Sequence, residues 1–484
     1  MKCNLLLMAG SLVFGFSLLA GAGGIQRIGH TTLTPRHNTI TNADGTLMAD
    51  DKGMYAAVID PANGYAYFFG NYLVKLDISG NLPVKVGTNI LTGQYAEGAI
   101  DPAAGYAYMP KGGSLFRYSL GAGTNSVSAA GSLSLPSCMS VAVDDSDPNP
   151  ANHYGYVICS GTPATVFKVA LSTFSVVSSV SLNTNENTFA WGQIDAQKGY
   201  AYFASYMIYT APAIPQILKI KLTPGTNAPI RIGTVNLGSV PVPLWTSSID
   251  TVHGYAYYGT DNGTTNVPET VFKVQLGEGD AFPTPVPFGG VSLHTNEVQL
   301  ISQVIDPQGG YVYLGDDNTY PAKIYQFSLN GTNPPVEMGY LQLQAGLQTP
   351  PPDGVTTNNT TTNSDGILPF GEVMLRSAVY DPVRGYAYFG QDSRPNQVVK
   401  VRLSQPTIPF TLTGAQTPAN GSFQFGFTNS PGAAFSVLMT TNLALALSNW
   451  TALGAVTDSP PGQFQFSDPQ ATNGGQRFYR VSSP

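Results

Sequence analysis

One ten-residue phrase recurs along this chain, and no other feature restricts its fold as severely. It reads IDPANGYAYF at 59–68, IDPAAGYAYM at 100–109, IDAQKGYAYF at 194–203 and IDTVHGYAYY at 249–258. It returns as IDPQGGYVYL at 305–314 and YDPVRGYAYF at 380–389, and a stretched seventh copy, VDDSDPNPANHYGYVIC, occupies 143–159. Each copy spells a tight hairpin. An apolar strand ends in Asp, whose side chain can accept backbone N–H bonds; Pro presets φ, and Gly tolerates the left-handed turn. The next strand alternates large and small residues, as in Tyr65, Ala66 and Tyr67, so one face is tyrosine and the other is thin.

A third strand follows each hairpin: YLVKLDI (72–78), SLFRYSL (114–120), TVFKVAL (165–171), QILKIKL (216–222), TVFKVQL (270–276), KIYQFSL (323–329) and QVVKVRL (397–403). A looser fourth strand comes next, as in VKVGTNIL (84–91), IRIGTVNL (230–237) and VPFGGVSL (286–293). Four strands per unit, at spacings from 41 residues (Asp60 to Asp101) to 75 (Asp306 to Asp381), predict an all-β, seven-bladed β-propeller. After the seventh third strand, near Ser404, no fourth strand follows. The segment IQRIGHTTL (25–33) matches IRIGTVNLG (230–238), so it is expected to complete the last blade and remove two open sheet edges.

Composition agrees. Only 11% of the 484 residues are charged, while Gly and Tyr are abundant, which suits short strands and tight turns. A net charge of −7, with no basic cluster, argues against a nucleic-acid partner. Residues 1–22 read as a signal peptide: Lys2, an apolar run from Leu5 to Ala20, then Ala20-Gly21-Ala22 for cleavage. Retention as an anchor is the competing reading, disfavoured by the short apolar run and the lack of a charged stop. Cys3 precedes the apolar run and cannot be a lipid-bearing cysteine. No later segment is apolar and long enough to span a bilayer. The mature chain is therefore expected to be an exported monomer in the periplasm, on the cell surface or in the medium. Its two remaining cysteines, Cys138 and Cys159, fall diagonally on adjacent strands of one hairpin, open to a disulfide or to two buried thiols.

From about Gln405 the repeat stops. Segments SFQFGFT, AFSVLMTT, WTALGAV, GQFQFSD and RFYRVSS, with Phe423, Phe425 and Phe427 alternating, predict a small β-sandwich over 405–484, with Trp450 in its core. This gives 1–22 as leader, 23–404 as propeller and 405–484 as a C-terminal module.

The DP-x-x-GYAYFG…VVKVRL pattern resembles the seven-bladed propellers of the YVTN and NHL-like superfamily, over roughly residues 25 to 404. The C-terminal FTNSPGAAFSVLMTTNL and NWTALG segments resemble an accessory module of exported proteins from Gram-negative environmental bacteria. The first resemblance implies the fold; its members include lactonases as well as partner-binding proteins, so it implies no single activity.

Tyr55, Tyr95, Glu97, Trp191, Trp245 and Arg376 stand just before the innermost strands, where they would ring the channel mouth. Such a ring can stack on sugar rings or apolar ligands, or it can simply cap the core between blades. Asp261, Asp316, Asp317 and Asp392 lie in oxygen-rich loops that could hold calcium, although ordinary solvated turns explain them as well, because no regular ligand spacing is present. The long segments 204–216 and 345–372 are expected on the same face. The repeated aspartates are turn caps, since a catalytic residue is needed once. The recurrent third-strand cations Lys75, Arg117, Lys168, Lys219, Lys273 and Lys400 are expected to be scaffold with their heads outward. Histidines His30, His37, His153, His253 and His294 are scattered, and no nucleophile elbow or phosphate loop occurs. With Glu97 the only acid in the inner strands, the expectation is a binding protein for a carbohydrate or protein ligand, with no resident cofactor. The alternatives are a metal-dependent hydrolase or lactonase using Glu97 with the loop acids, or a purely structural envelope protein.

Overall fold

The computed structural model describes residues 25–33, 54–70, 72–90, 97–206, 214–238, 243–261, 269–292, 299–317, 319–329, 331–344, 372–392, 397–403, 412–416, 422–429, 435–442, 445, 450–458, 460, 462–471 and 477–482. Residues 1–22 with Cys3, Tyr95, His37, His294 and most of the segments 204–216 and 345–372 lie outside them.

Among the described residues, the repeats fold into seven four-stranded antiparallel units, the blades of a β-propeller. Blade 1 is Ala56–Asp60, Tyr65–Phe69, Tyr72–Asp77 and Val84–Ile90. Blades 4, 5 and 6 repeat it from Phe189–Asp195, Leu244–Asp250 and Leu300–Asp306 as inner strands. Blades 2 and 3 share one six-stranded sheet, because Tyr106–Ser119 and Ser128–Asp144 run on through bends and serve two strand positions each. In blade 7, Leu375–Asp381, Tyr386–Gln391 and Gln397–Arg402 are completed by Gln26–Thr32, as the sequence pattern predicts.

The hairpin works as its residues require. Each motif aspartate accepts from an amide of its own turn: Asn63 at 3.1 Å from Asp60, Lys198 at 3.0 Å from Asp195, Gly309 at 2.9 Å from Asp306. The closing glycine is left-handed, at φ 76° for Gly64 and 77° for Gly254, where a side chain would be strained. The second tyrosine of every motif is fully buried: Tyr67, Tyr108, Tyr156, Tyr202, Tyr257, Tyr313 and Tyr388. Each such ring contributes about 2–3 kcal/mol by leaving water.

The third-strand cations correct the sequence expectation. Their heads are not outward but buried between blades. Lys219 Nζ donates to the carbonyls of Leu276 (3.0 Å), Gly277 (2.8 Å), Gly279 (2.7 Å) and Ala281 (3.0 Å) of blade 5. Lys75 reaches Leu120, Gly121 and Gly123 of blade 2 in the same way, at 2.6–2.9 Å. Lys168 reaches Thr223, Lys273 reaches Leu329 and Asn333, and Lys400 reaches Gly80. Arg117 meets Leu171. The ammonium groups of Lys75, Lys168 and Lys219 also lie over the first tyrosine of their own motifs, 4.2 Å from the rings of Tyr65, Tyr154 and Tyr200, and Lys273 lies 4.3 Å from that of Tyr255. A cation buried this way persists because carbonyl oxygens replace its lost water.

Blade 6 has Gln326 at this position. The carbonyl cradle is made by the turn between third and fourth strands of the next blade. Blade 7 has no such turn, because its fourth strand is Gln26–Thr32. Among the described residues, no cradle of this kind faces Gln326.

The closing strand also reproduces the ion pair of blade 4. Arg231 pairs with buried Glu186, which accepts from Thr234 at 2.9 Å. At the matching positions Arg27 pairs with buried Glu372 at 2.6 Å, and His30 Nδ1 lies 2.8 Å from the same carboxylate. Here burial pushes the carboxyls of both Glu186 and Glu372 upward, but their hydrogen bonds and the arginines outweigh it and hold them low.

Cys138 and Cys159 are directly opposed in register rather than diagonal, with Sγ atoms 3.3 Å apart and both thiols free and buried. The bulge between Cys138 and Ser140 causes the difference, since one extra residue resets the pairing.

The C-terminal sheet runs in spatial order Thr413–Gln416, Phe423–Thr428, Gln463–Asp468, Thr451–Asp458, Phe435–Thr440 and Phe478–Ser482. Phe423, Phe425, Phe427 and Phe464 from one half share a core with Phe435, Val437 and Tyr479 from the other. Trp450, expected in this core, is only half-buried and outside it, its Nε1 donating to the Leu445 carbonyl at 3.2 Å. Phenylalanines already fill the space.

Candidate functional site

The end of the blades opposite the repeated turns is built from bulges. Inner strands lose register between Cys138 and Ser140, Ala190 and Gln193, Leu244 and Thr246, and Leu300 and Ser302. The extra residues are Met139, Trp191 with Gly192, Trp245 and Ile301; Arg376 holds the same place relative to Asp381. A bulge re-aims a side chain out of the strict in-and-out alternation. A second set comes from the ends of the motif strands. The amides of Tyr206, Asp261, Asp317 and Asp392 bond the carbonyls of Thr188, Pro243, Gln299 and Met374, which brings these four residues beside the bulges.

Two clusters result. The first is aromatic. Trp191 and Trp245 lie 5.9 Å apart between ring centroids, and Tyr206 lies 6.3 Å from Trp191 and 5.3 Å from Trp245. All three are half-buried, and Trp191 Nε1 is committed to the Leu244 carbonyl at 2.7 Å. The second cluster is ionic. Arg376 pairs with Asp317 at 2.6 Å and lies 3.6 Å from Asp392, which accepts from the Tyr55 hydroxyl at 3.1 Å. Burial, then Asp392, pushes the Tyr55 phenol up to about 12. Burial also raises Asp317 to about 7; Arg376 opposes the rise, and Asp392 and Asp261 add to it. Asp261 acts electrostatically on both clusters, raising Tyr206 as well as Asp317.

Glu97 forms a third group. Its Oε2 accepts from Ser140 Oγ at 2.6 Å and from the Gly192 amide at 2.9 Å, and the Trp191 amide also bonds its carboxylate. Burial raises it to about 7, against the pull of those bonds. The inner walls elsewhere carry neutral hydrogen bonds, such as Gln193 to Ser247 at 2.9 Å and Thr246 to Gln303 at 2.7 Å.

Of the sequence candidates, Tyr55 and Arg376 come together with Asp317 and Asp392, and Trp191 comes together with Trp245. Asp316 points away: it accepts from the Thr319 hydroxyl and the Lys323 amide, so adjacent Asp316 and Asp317 diverge, as alternation in a strand requires. Among the described residues, no three His, Cys, Asp or Glu side chains are grouped as metal ligands. Sequence reasoning missed Tyr206 and Ser140. Tyr206, Asp261, Asp317 and Asp392 each stand seven residues after the residue that opens the motif strand, Gly199, Gly254, Gly310 and Gly385; stacking the repeats on one another would have revealed the set.

No family model matches the chain, and no curated protein matches it in sequence. Among solved structures it is similar to a protein of unknown function from Desulfotomaculum acetoxidans (TM-score 0.44, 10% identity, covering 69% of this chain and 87% of that one). It is also similar to a protein of Bacteroides fragilis provisionally assigned as a 6-phosphogluconolactonase (TM-score 0.46, 10% identity, 60% and 84%). A third is Saccharomyces cerevisiae Sqt1 (TM-score 0.43, 9% identity, 79% and 94%).

Proposed function

We propose that this chain is an exported, seven-bladed propeller of the YVTN and NHL-like kind that binds a carbohydrate at the bulged end of its blades. The reading rests on one observation above all: Trp191, Tyr206 and Trp245 form a half-exposed aromatic surface, which Asp261 couples electrostatically to the Asp317–Arg376–Asp392–Tyr55 network. Flat apolar rings beside fixed polar groups are what a sugar offers a complement to, with one apolar face and a rim of hydroxyls. The C-terminal sheet is proposed to be an accessory β-sandwich module, and residues 1–22 a cleaved leader.

The test is a panel of oligosaccharides against the chain lacking residues 1–22, read by thermal shift and calorimetry. A stabilising glycan is expected, with affinity lost at least tenfold in Trp245→Ala, the equivalent of about 1.4 kcal/mol. EDTA should leave the affinity unchanged. No stabilisation by any glycan would overturn the reading. One observation favours a second reading as a hydrolase: Glu97 at about 7 has the proton affinity of a general acid–base group. Lactone or glycoside hydrolysis abolished by Glu97→Gln would support it instead.

A further inference from the structure

Glu97 enters from the segment before the inner strand of blade 2, yet its carboxylate ends on the backbone of blade 4. Between them stands Ser140 of blade 3, bonded to both: its hydroxyl donates to Glu97 at 2.6 Å and receives the Gly192 amide at 2.9 Å. The backbone it grips is unusual. Trp191 has φ 52°, in the left-handed region that a bulky residue rarely occupies, so the surrounding structure must hold it there. The following residue can only be glycine: a Cβ on Gly192 would lie 2.8 Å from Ser140 Oγ and 2.9 Å from the Phe203 ring. Two successive amides turned toward one anion form a small backbone nest, and here the anion is a side chain of the same protein.

We propose that Glu97 is the positioning residue of the aromatic surface: its carboxylate fixes the left-handed bulge at Trp191–Gly192, so its proton sets how Trp191 stands against Tyr206 and Trp245. The purpose assigned to this device rests on the carbohydrate reading, but the device itself does not. The groups facing Glu97 are the Ser140 hydroxyl from blade 3, the Trp191 and Gly192 amides from blade 4, and the Tyr258 phenol from blade 5, which burial keeps neutral. An ionised carboxylate accepts the short Ser140 and Gly192 donors strongly. A protonated one gives up part of that acceptor strength and loosens the bulge. With the carboxyl raised to about 7 by burial, the exchange falls near neutral pH.

The experiment needs no ligand. The chain has three tryptophans, so in a Trp450→Phe background only Trp191 and Trp245 report. Near-ultraviolet circular dichroism and emission are followed from pH 5 to 9. A single transition with its midpoint near 7 is expected, absent in Glu97→Gln. In Ser140→Ala the midpoint should move upward, because the carboxylate loses a donor. If Glu97→Gln does not fold, the Ser140→Ala shift decides alone. A transition that persists unchanged in Glu97→Gln, or in Ser140→Ala, or no transition in the parent chain, overturns the proposal. Glycan binding is then measured at pH 5.5 and 8.5: a confirmed transition without any glycan binding would defeat the carbohydrate reading while leaving Glu97 in its role, and the reverse outcome would do the opposite.

Discussion

The two ends of the blades follow opposite rules. At the turn end every blade does the same thing: an aspartate caps a hairpin, a tyrosine fills the gap between sheets, and in six of the seven blades a cation plugs the next blade's turn, through Lys75, Arg117, Lys168, Lys219, Lys273 and Lys400. At the bulged end the residues differ from blade to blade: Tyr55, Met139, Trp245, Ile301 and Arg376 each stand five residues before the motif aspartate, and Trp191 four. Sameness marks what holds the ring; difference marks the end where ligand binding is proposed. The contrast is physical, because a seam between blades poses one packing problem many times over, whereas a ligand is met by the assembly as a whole.

Substitutions should therefore separate cleanly. Lys219→Met carries the largest expected effect: the carbonyls of Leu276, Gly277, Gly279 and Ala281 lose their donor, at a cost of about 3 kcal/mol in urea unfolding. Equal stability in that variant would break the contrast at its strongest point.

Next comes pH. Glu97, Asp316 and Asp317 are raised to about 7, chiefly by burial. Between the ordinary carboxyl range and 7, the folded chain keeps protons that the unfolded chain has released, so stability falls as pH rises across that window. His153 works in the same direction. Burial opposes its charge, but the Asp101 carboxylate and Asp147 carbonyl more than offset this and raise it, so its contribution is present at low pH and lost as pH climbs through its folded value. Melting should drop by roughly 5 °C from pH 5 to pH 8, and by less in Asp316→Asn. A rising curve would refute the burial argument.

Asp306→Ala should cost about 1 kcal/mol by removing a turn cap, without touching ligand binding. Smallest in stability is Trp245→Ala, expected to cost less than Asp306→Ala while weakening at least tenfold the binding that the capping variant preserves. That crossover, measured on the two purified variants, sharpens the comparison most.

The turn end was legible in the sequence because its rules are local. Asp, Pro and Gly dictate a hairpin wherever they occur, and seven copies leave little choice. The closing strand was legible too, since 25–33 carries the pattern of 230–238, and Arg27 with Glu372 repeats Arg231 with Glu186. The inward lysines were not. An exposed head is the default for a lysine, and the carbonyls that reverse it belong to the backbone of another blade, which leaves no mark in composition. The bulged end was half legible. Its tryptophans and Arg376 stood out by residue type, but Ser140 and Tyr206 each gain their meaning from a neighbour about 40 residues distant, and the opposed cysteines depend on a one-residue bulge that alternation conceals.

The strand Gln26–Thr32 finds its partner only at Gln397–Arg402, with Gln397 Nε2 and Thr32 Oγ1 meeting at 3.3 Å across 365 positions of sequence. An edge made so early and satisfied so late must wait while all the intervening blades form, and contacts between such distant segments are slow to close. Ring closure thus becomes a final inspection: a chain cut short anywhere before Gln397 keeps Gln26–Thr32 without its partner strand, open to association with its own copies.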